Sequence, residues 1–239
     1  MPLQPLSPDA AGTADDQEGC RAAPVTLQGA DMPRSMADLS FRRAQWEQRY
    51  SPHVAPVNRW VDELRNPYGR GWLPYVAPLH GGVEARVLSV LRDPGPATQD
   101  GVGSGFLCTE NDDPTAELMA GLMDEVGLAP ADLLPWNAYP WYIAAAPNAE
   151  QLDAGVETVL HLLALAPDVE VVLLQGGDAD HGWRRLLRRH PAIERERGLT
   201  VIRTFHPSRQ ALWARDPAER EARSARRREA FAEVAAALR

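Results

Sequence analysis

Short apolar runs alternate with amphipathic stretches along this chain. Four runs have the composition of buried strands, namely Ala85–Leu91, Asp132–Trp136, Val169–Leu174 and Leu199–Thr204. Pro135 makes the second run a poor strand, because proline has no amide hydrogen for a sheet ladder. The spacing between the runs leaves room for a helix after most of them, which is typical of a βαβ arrangement.

Helical periodicity fills these intervals. Pro114–Val126 has an apolar face, Asp113 as the N-cap and proline at the first helical position. Gly155–Leu165, Asp180–Arg189 and a stretch from about Pro217 to Leu238 follow the same period. Because strands alternate with helices, we expect an α/β fold, a three-layer αβα structure built on a four-stranded parallel sheet.

The first part of the chain has a different character. Residues 1 to about 35 lack hydrophobic periodicity and predict a disordered tail. Met36 to about Leu64 predicts two short helices, and Asn66–Gly82, rich in glycine, proline and aromatic residues, predicts a structured loop. We therefore expect residues 36–239 to form a single domain that ends in a helix.

Composition narrows the class of protein. No run approaches the ~20 apolar residues of a membrane-spanning helix, and no secretory signal is visible, so a cytoplasmic protein is expected, with no membrane partner. The two cysteines, Cys20 and Cys108, are too few for a disulfide framework, an iron–sulfur cluster or a cysteine-rich zinc site. We expect a monomer with neither cofactor nor metal.

Charge is distributed unevenly. The net charge of −8 argues against nucleic-acid binding by bulk electrostatics. Residues 184–239, however, hold 15 arginines and 7 acids, whereas residues 1–183 hold 10 arginines and 26 acids. The basic helix that contains Arg184, Arg185, Arg188 and Arg189 could contact phosphates or could be a solvated face.

Polar residues follow the predicted strands. Asp93 comes after the first run, Asn137 after the second, Gln175–Asp178 after the third and His206 after the fourth. Because ligands of open parallel sheets bind beyond the carboxyl ends of the strands, Asp93, Asn137 and His206 should converge on one edge. A carboxylate, an amide and an imidazole there could orient a small heterocycle and stabilise charge.

These segments resemble the uracil-DNA glycosylase superfamily. Leu91–Gly95 reads Leu-Arg-Asp-Pro-Gly, similar to the family's Gly-x-Asp/Asn-Pro-Tyr/Gly after a strand, and His206–Ser208 matches its His-Pro-Ser. Phe106 and Asn137 stand where the family keeps a stacking phenylalanine and a base-reading asparagine. The resemblance covers about half of the chain, Ala85 to Leu212, and its main departure is leucine in place of glycine at the first motif position.

The resemblance implies roles for three residues. Asp93, when ionised, would stabilise positive charge on the sugar and position or deprotonate the attacking water. His206 would donate a hydrogen bond to the base oxygen that gains negative charge, and Asn137 would read the N3–H and O4 edge of uracil. Taken alone, the aspartate could instead cap its turn, the histidine could be structural and the asparagine could tie two loops together.

Four further residues would shape the base pocket. Phe106 would stack on the extruded base, although a phenylalanine here could also belong to the core. Gly95 stands where a tyrosine in other members is thought to exclude the thymine methyl group, so 5-modified uracils, hypoxanthine or xanthine become possible substrates. Arg92 and Pro94 belong to the same motif and are expected to contact the substrate.

Ser208, Arg209 and Gln210 would contact DNA. Ser208 could bind a phosphate or simply cap the next helix. The family's wedge position is occupied by Gln210, so this residue or Arg209 would make polar contacts with the orphan base, and weak wedging would favour single strands or mismatches.

The expected function is a DNA glycosylase that hydrolyses the N-glycosidic bond of uracil or a related deaminated base in DNA, the step that initiates base excision repair. Its partner would be DNA containing such a base. Two alternatives stay open: a non-catalytic module that binds damaged or single-stranded DNA, and an N-glycosidase of free nucleosides or nucleotides.

Overall fold

A computed structural model describes residues 34–65 and 69–239. The strands are β1 (Tyr75–Val76), β2 (Val87–Leu91), β3 (Phe106–Leu107), β4 (Leu133–Asn137), β5 (Val171–Gln175) and β6 (Thr200–Thr204). The α-helices are α1 (Leu39–Glu47), α2 (Ala55–Arg65), α3 (Pro114–Val126), α4 (Ala149–Leu165), α5 (Gly177–Arg189), α6 (Ile193–Arg197), α7 (Arg209–Leu212) and α8 (Pro217–Ala237). The four predicted strands are β2, β4, β5 and β6.

These four strands form one parallel sheet in the order β4-β2-β5-β6. Within the described ranges β4 pairs only with β2, so it is an edge strand, and Pro135 is tolerated there because its missing amide costs no ladder bond on the open side. The predicted α/β class with a parallel sheet is confirmed.

Helices cover both faces of this sheet. In β2, Leu88 and Val90 belong to a hydrophobic cluster with residues of α2, α4 and α5, whereas Val87 belongs to a second cluster with residues of α3 and α8. This division follows from the two-residue period of a strand, which sends neighbouring side chains to opposite faces.

A second, two-stranded parallel sheet pairs β1 with β3. β1 lies in the segment predicted as a loop, because a two-residue strand is too short to show a hydrophobic period. Asn58 of α2 holds β1 in place, since its side-chain amide donates to the Val76 carbonyl at 2.9 Å and its oxygen accepts the Val76 amide at 2.9 Å.

The helix bounds agree with the periodicity where a cap was recognised. α3 has its predicted bounds, and the Asp113 side chain accepts the amides of Thr115 and Ala116. α4 begins at Ala149 rather than Gly155, because Asn148 and Gln151 form a capping box that the sequence analysis overlooked. The short helices α6 and α7 were not predicted.

The predicted tail lies, apart from its last two residues, outside the described residues. Arg34 and Ser35 are already part of the folded structure, since Arg34 pairs with Glu117 of α3 at 2.8 Å and Ser35 begins a 3-10 turn. Among the helices of the described ranges, none is long and apolar enough to cross a bilayer.

Candidate active site

A cleft of about 780 Å³ lies at the carboxyl ends of the parallel strands. Its walls come from the segments that follow β2, β4, β5 and β6, from the start of α3 and from Leu107–Thr109. The structure brings most of the residues singled out from the sequence to this cleft: Arg92, Asp93, Pro94, Gly95, Asn137, His206, Ser208 and Gln210.

Phe106 does not reach the cleft. Its ring has no exposed surface and packs edge-on against Trp46 at a centroid distance of 5.7 Å, with Tyr75 at 6.2 Å. The expectation that Phe106 stacks on a bound base is therefore wrong for this structure, and its core alternative holds. The side chain belongs to β3, whose pairing with β1 turns it towards the aromatic cluster.

The Asp93 carboxylate is almost completely buried at the end of the strand. Its side chain is 4% exposed and is hydrogen-bonded to the guanidinium of Arg92, which is itself 43% exposed. Burial raises the pKa of Asp93, while the Arg92 guanidinium and the backbone amide of Ala144 oppose the rise. The Asp178 carboxylate, at the start of α5, raises the pKa further.

Ala144 marks local backbone strain at the site. It lines the cleft and adopts a left-handed φ of 53°, a conformation that residues with a β-carbon rarely adopt. The strained backbone directs its amide towards the Asp93 carboxylate. Strain of this kind, held where a polar side chain faces a cleft, is common at functional sites.

The His206 imidazole has a defined protonation state. The backbone amide of Ser208 donates to its Nδ1 at 3.1 Å, so the proton of the neutral ring lies on Nε2. Burial, helped by the Arg92 guanidinium, lowers the pKa of His206 to about 4. At neutral pH the ring is therefore uncharged and offers one N–H donor.

Gly176 makes room for this histidine. Its φ is +103°, and a β-carbon added there would lie 3.2 Å from the His206 β-carbon. Both the backbone conformation and the close approach require glycine at this position. The turn after β5 thus fixes the position of the residue that follows β6.

Two buried amides at the cleft have unsatisfied atoms. Asn137, which is 1% exposed, has no hydrogen-bond partner for Nδ2, so this nitrogen does not tie loops together. Gln175 donates through Nε2 to Ser89 Oγ at 2.9 Å and leaves Oε1 without a partner. A buried donor and a buried acceptor without partners are therefore available to a polar ligand in the cleft.

Gln175 was not among the predicted site residues. It ends a strand that is otherwise apolar, and the two-residue period places its side chain on the same sheet face as Ser89 and Asn137. A polar residue that ends a wholly buried strand was the signal available.

The remaining predicted residues lie around the mouth. An added β-carbon at Gly95 would meet no atom within 4 Å, so the space beside it is open. The Ser208 hydroxyl accepts a hydrogen bond from the Ala211 amide at 3.3 Å and caps α7, which is the alternative role given for this residue. Arg209 and Gln210 are exposed, and Gln210 also lines the cleft.

Three of the four arginines of α5 are paired with carboxylates. Arg185 and Arg189 share Asp153 of α4, and Arg184 pairs with Asp180 one turn earlier. The helix therefore offers little free positive charge to a phosphate, and the solvated-face interpretation fits it better.

No group of three or more metal-ligating side chains is found within residues 34–65 and 69–239. Comparison of the chain with protein-family models and with curated proteins gave no match.

Proposed function

We propose that this chain is a monofunctional DNA glycosylase of the uracil-DNA glycosylase superfamily, acting on uracil or a related deaminated base. The observation that carries the proposal is the meeting of Asp93, Asn137 and His206, which are far apart in sequence, in one cleft at the strand ends. Helices on both faces of the parallel sheet agree with the three-layer αβα fold that the proposal implies.

His206 would act on the leaving base. When the N-glycosidic bond breaks, its electron pair moves to the base and negative charge develops on a carbonyl oxygen. A neutral imidazole with its proton on Nε2 stabilises that charge by donating a hydrogen bond, and it keeps its proton. The low pKa of His206 supports this role at neutral pH.

Asp93 would act on the sugar. Loss of the base leaves positive charge on C1′, which an ionised carboxylate stabilises in a site of low dielectric. The same carboxylate would orient the water whose oxygen forms the new bond to C1′ and would take up its proton. The ion pair with Arg92 favours the ionised state that both tasks require.

Asn137 would read the base edge, because Nδ2 is a buried donor that lacks a partner until a ligand carbonyl arrives. Open space beside Gly95 supports tolerance of a substituent at this point of the base. The proposal thus covers uracil, 5-modified uracils, hypoxanthine and xanthine as substrates to be tested.

The test is base release by the purified protein. We expect release of the free base from an oligonucleotide that carries one deaminated base, leaving an abasic site, and a loss of at least ~100-fold in Asp93→Asn and in His206→Ala. Glu170→Gln removes another arginine-paired carboxylate, outside the cleft, and should keep full activity. Equal rates in Asp93→Asn and the wild type would contradict the mechanism.

Two further arms separate the alternatives. Turnover of free deoxyuridine without release from any oligonucleotide would point to a nucleoside N-glycosidase. Salt-sensitive DNA binding without release of any base would point to a binding module.

A further inference from the structure

An exposed tryptophan lies beside the mouth of the cleft. Trp213 directly follows α7 and is 67% exposed, whereas most large apolar side chains of the described residues are buried. Gln210 and Ala211, three and two residues earlier, line the cleft itself. The indole makes no aromatic or cation–π contact with a side chain of the described ranges.

The backbone that carries this side chain is firmly held. The Arg223 guanidinium of α8 donates to the Trp213 carbonyl at 2.9 Å and to the Ala211 carbonyl at 3.2 Å, and it is also paired with Glu219. The next residue, Ala214, is buried. An exposed aromatic ring on a fixed backbone loses little further freedom when it binds a flat partner.

The surroundings of Trp213 carry unpaired positive charge. Residues 205–215 contain two arginines, Arg209 and Arg215, and no acid. Both arginines are exposed, and neither forms an ion pair with a carboxylate of the described residues. We call Arg209, Trp213 and Arg215 the Trp213 surface.

We propose that the Trp213 surface binds single-stranded DNA next to the nucleotide held in the cleft. The indole stacks on a neighbouring base, and the two arginines contact phosphates on either side of it. Single-stranded DNA is the ligand because duplex bases are already stacked on each other and present no free face. That a nucleotide of the same strand lies in the cleft rests on the proposed function. The stacking and the phosphate contacts of the Trp213 surface do not depend on it.

The test measures binding to labelled oligothymidylate, which contains no deaminated base, by fluorescence anisotropy. Trp213→Ala should weaken binding at least about fivefold, the size of one base–aromatic stack, and Trp213→Phe should lose less. Arg209→Gln combined with Arg215→Gln should reduce the slope of log affinity against log salt by about 1.4, as expected for two phosphate contacts on a single strand. Arg185→Gln with Arg189→Gln is the matched control and should leave the slope unchanged.

Several results would overturn the inference. These are equal binding by Trp213→Ala and the wild type, tighter binding of duplex DNA or of oligouridylate than of oligothymidylate, and equal salt slopes in the two arginine pairs. The measurement is independent of catalysis. Trp213-dependent binding with no base release from any substrate would defeat the proposed function alone, and equal binding by Trp213→Ala and the wild type together with normal base release would defeat this inference alone. Unchanged thermal unfolding of each variant confirms that the fold is kept.

Discussion

The two ends of the main sheet carry the same kind of ion pair in different surroundings. Before β2 and β5, Arg86 and Glu170 pair across the strands, and their side chains are 40% and 49% exposed. After β2, Arg92 pairs with Asp93, whose side chain is 4% exposed. The amino end therefore keeps its carboxylate in water, and the carboxyl end removes it from water.

Burial outweighs the effect of the arginine on the pKa of the carboxylate at the carboxyl end. The hydrogen bond from Arg86 lowers the pKa of Glu170, whereas burial raises the pKa of Asp93 in spite of its own arginine. A pair of opposite charges is therefore not enough to identify a functional carboxylate. What distinguishes the carboxyl end is a charged group that folding leaves in an unfavourable environment, next to buried amide atoms without partners.

The largest difference between the two ends of the sheet is expected for replacement of a glycine at each end. Gly176, after β5, and Gly198, shortly before β6, both have positive φ, but only at Gly176 would a β-carbon contact the site. We expect Gly176→Ala to lower base release at least ~10-fold, because displacement of His206 by a fraction of an ångström misplaces its Nε2 proton. The measurement is single-turnover release from a deaminated oligonucleotide.

Gly198→Ala is the control for backbone strain alone. An added β-carbon there meets nothing within 4 Å, so the variant should lose about 1 kcal/mol of unfolding free energy and keep its activity. If both alanine variants lost activity alike, the contact between Gly176 and His206 would not explain the effect.

The sequence allowed the location of the site to be predicted better than its lining. Asp93, Asn137 and His206 come together because the strand-end rule depends only on connectivity, which periodicity reveals. Phe106 could not be placed, because its direction depends on a two-residue strand pairing with no sequence period. Gln175 was overlooked because its importance lies in an oxygen left without a partner, which only the packed structure reveals.

Replacement of Arg92 should change the pH dependence of base release. Arg92 opposes the raised pKa of Asp93, so Arg92→Gln should raise that pKa further, and the carboxylate should become protonated at a higher pH. The acidic limb of the rate profile should therefore move to higher pH in this variant. Arg86→Gln, at the other end of β2, should leave the profile where it is.

The profile is measured as single-turnover base release from acidic to neutral pH. Arg92 also lowers the pKa of His206, so Arg92→Gln should raise the pKa of both groups. The profile is therefore also recorded in a His206→Ala background, where a shift that remains belongs to Asp93. A shift of the Arg92→Gln limb to lower pH would contradict the assigned pairing of Arg92 with Asp93.

The smallest expected effect is on stability, and the two ends should differ in its sign. The pKa of Asp93 is raised in the folded state, so its contribution to stability is present at low pH and is lost as pH rises through that pKa. The pKa of Glu170 is lowered, so its contribution is present at neutral pH and is lost as pH falls. At neutral pH, Asp93→Asn should therefore raise the free energy of unfolding, and Glu170→Gln should lower it.

Urea unfolding of both variants at neutral and acidic pH measures these signs. Below the pKa of both carboxyl groups each variant should approach the wild type, because the wild-type groups are then uncharged as well. The exposed Arg92 guanidinium is solvated by water once its partner is gone, so it does not offset the gain in Asp93→Asn. A loss of stability at neutral pH in both variants would mean that Asp93 is held by its ion pair as Glu170 is, and the distinction between the two ends of the sheet would fail.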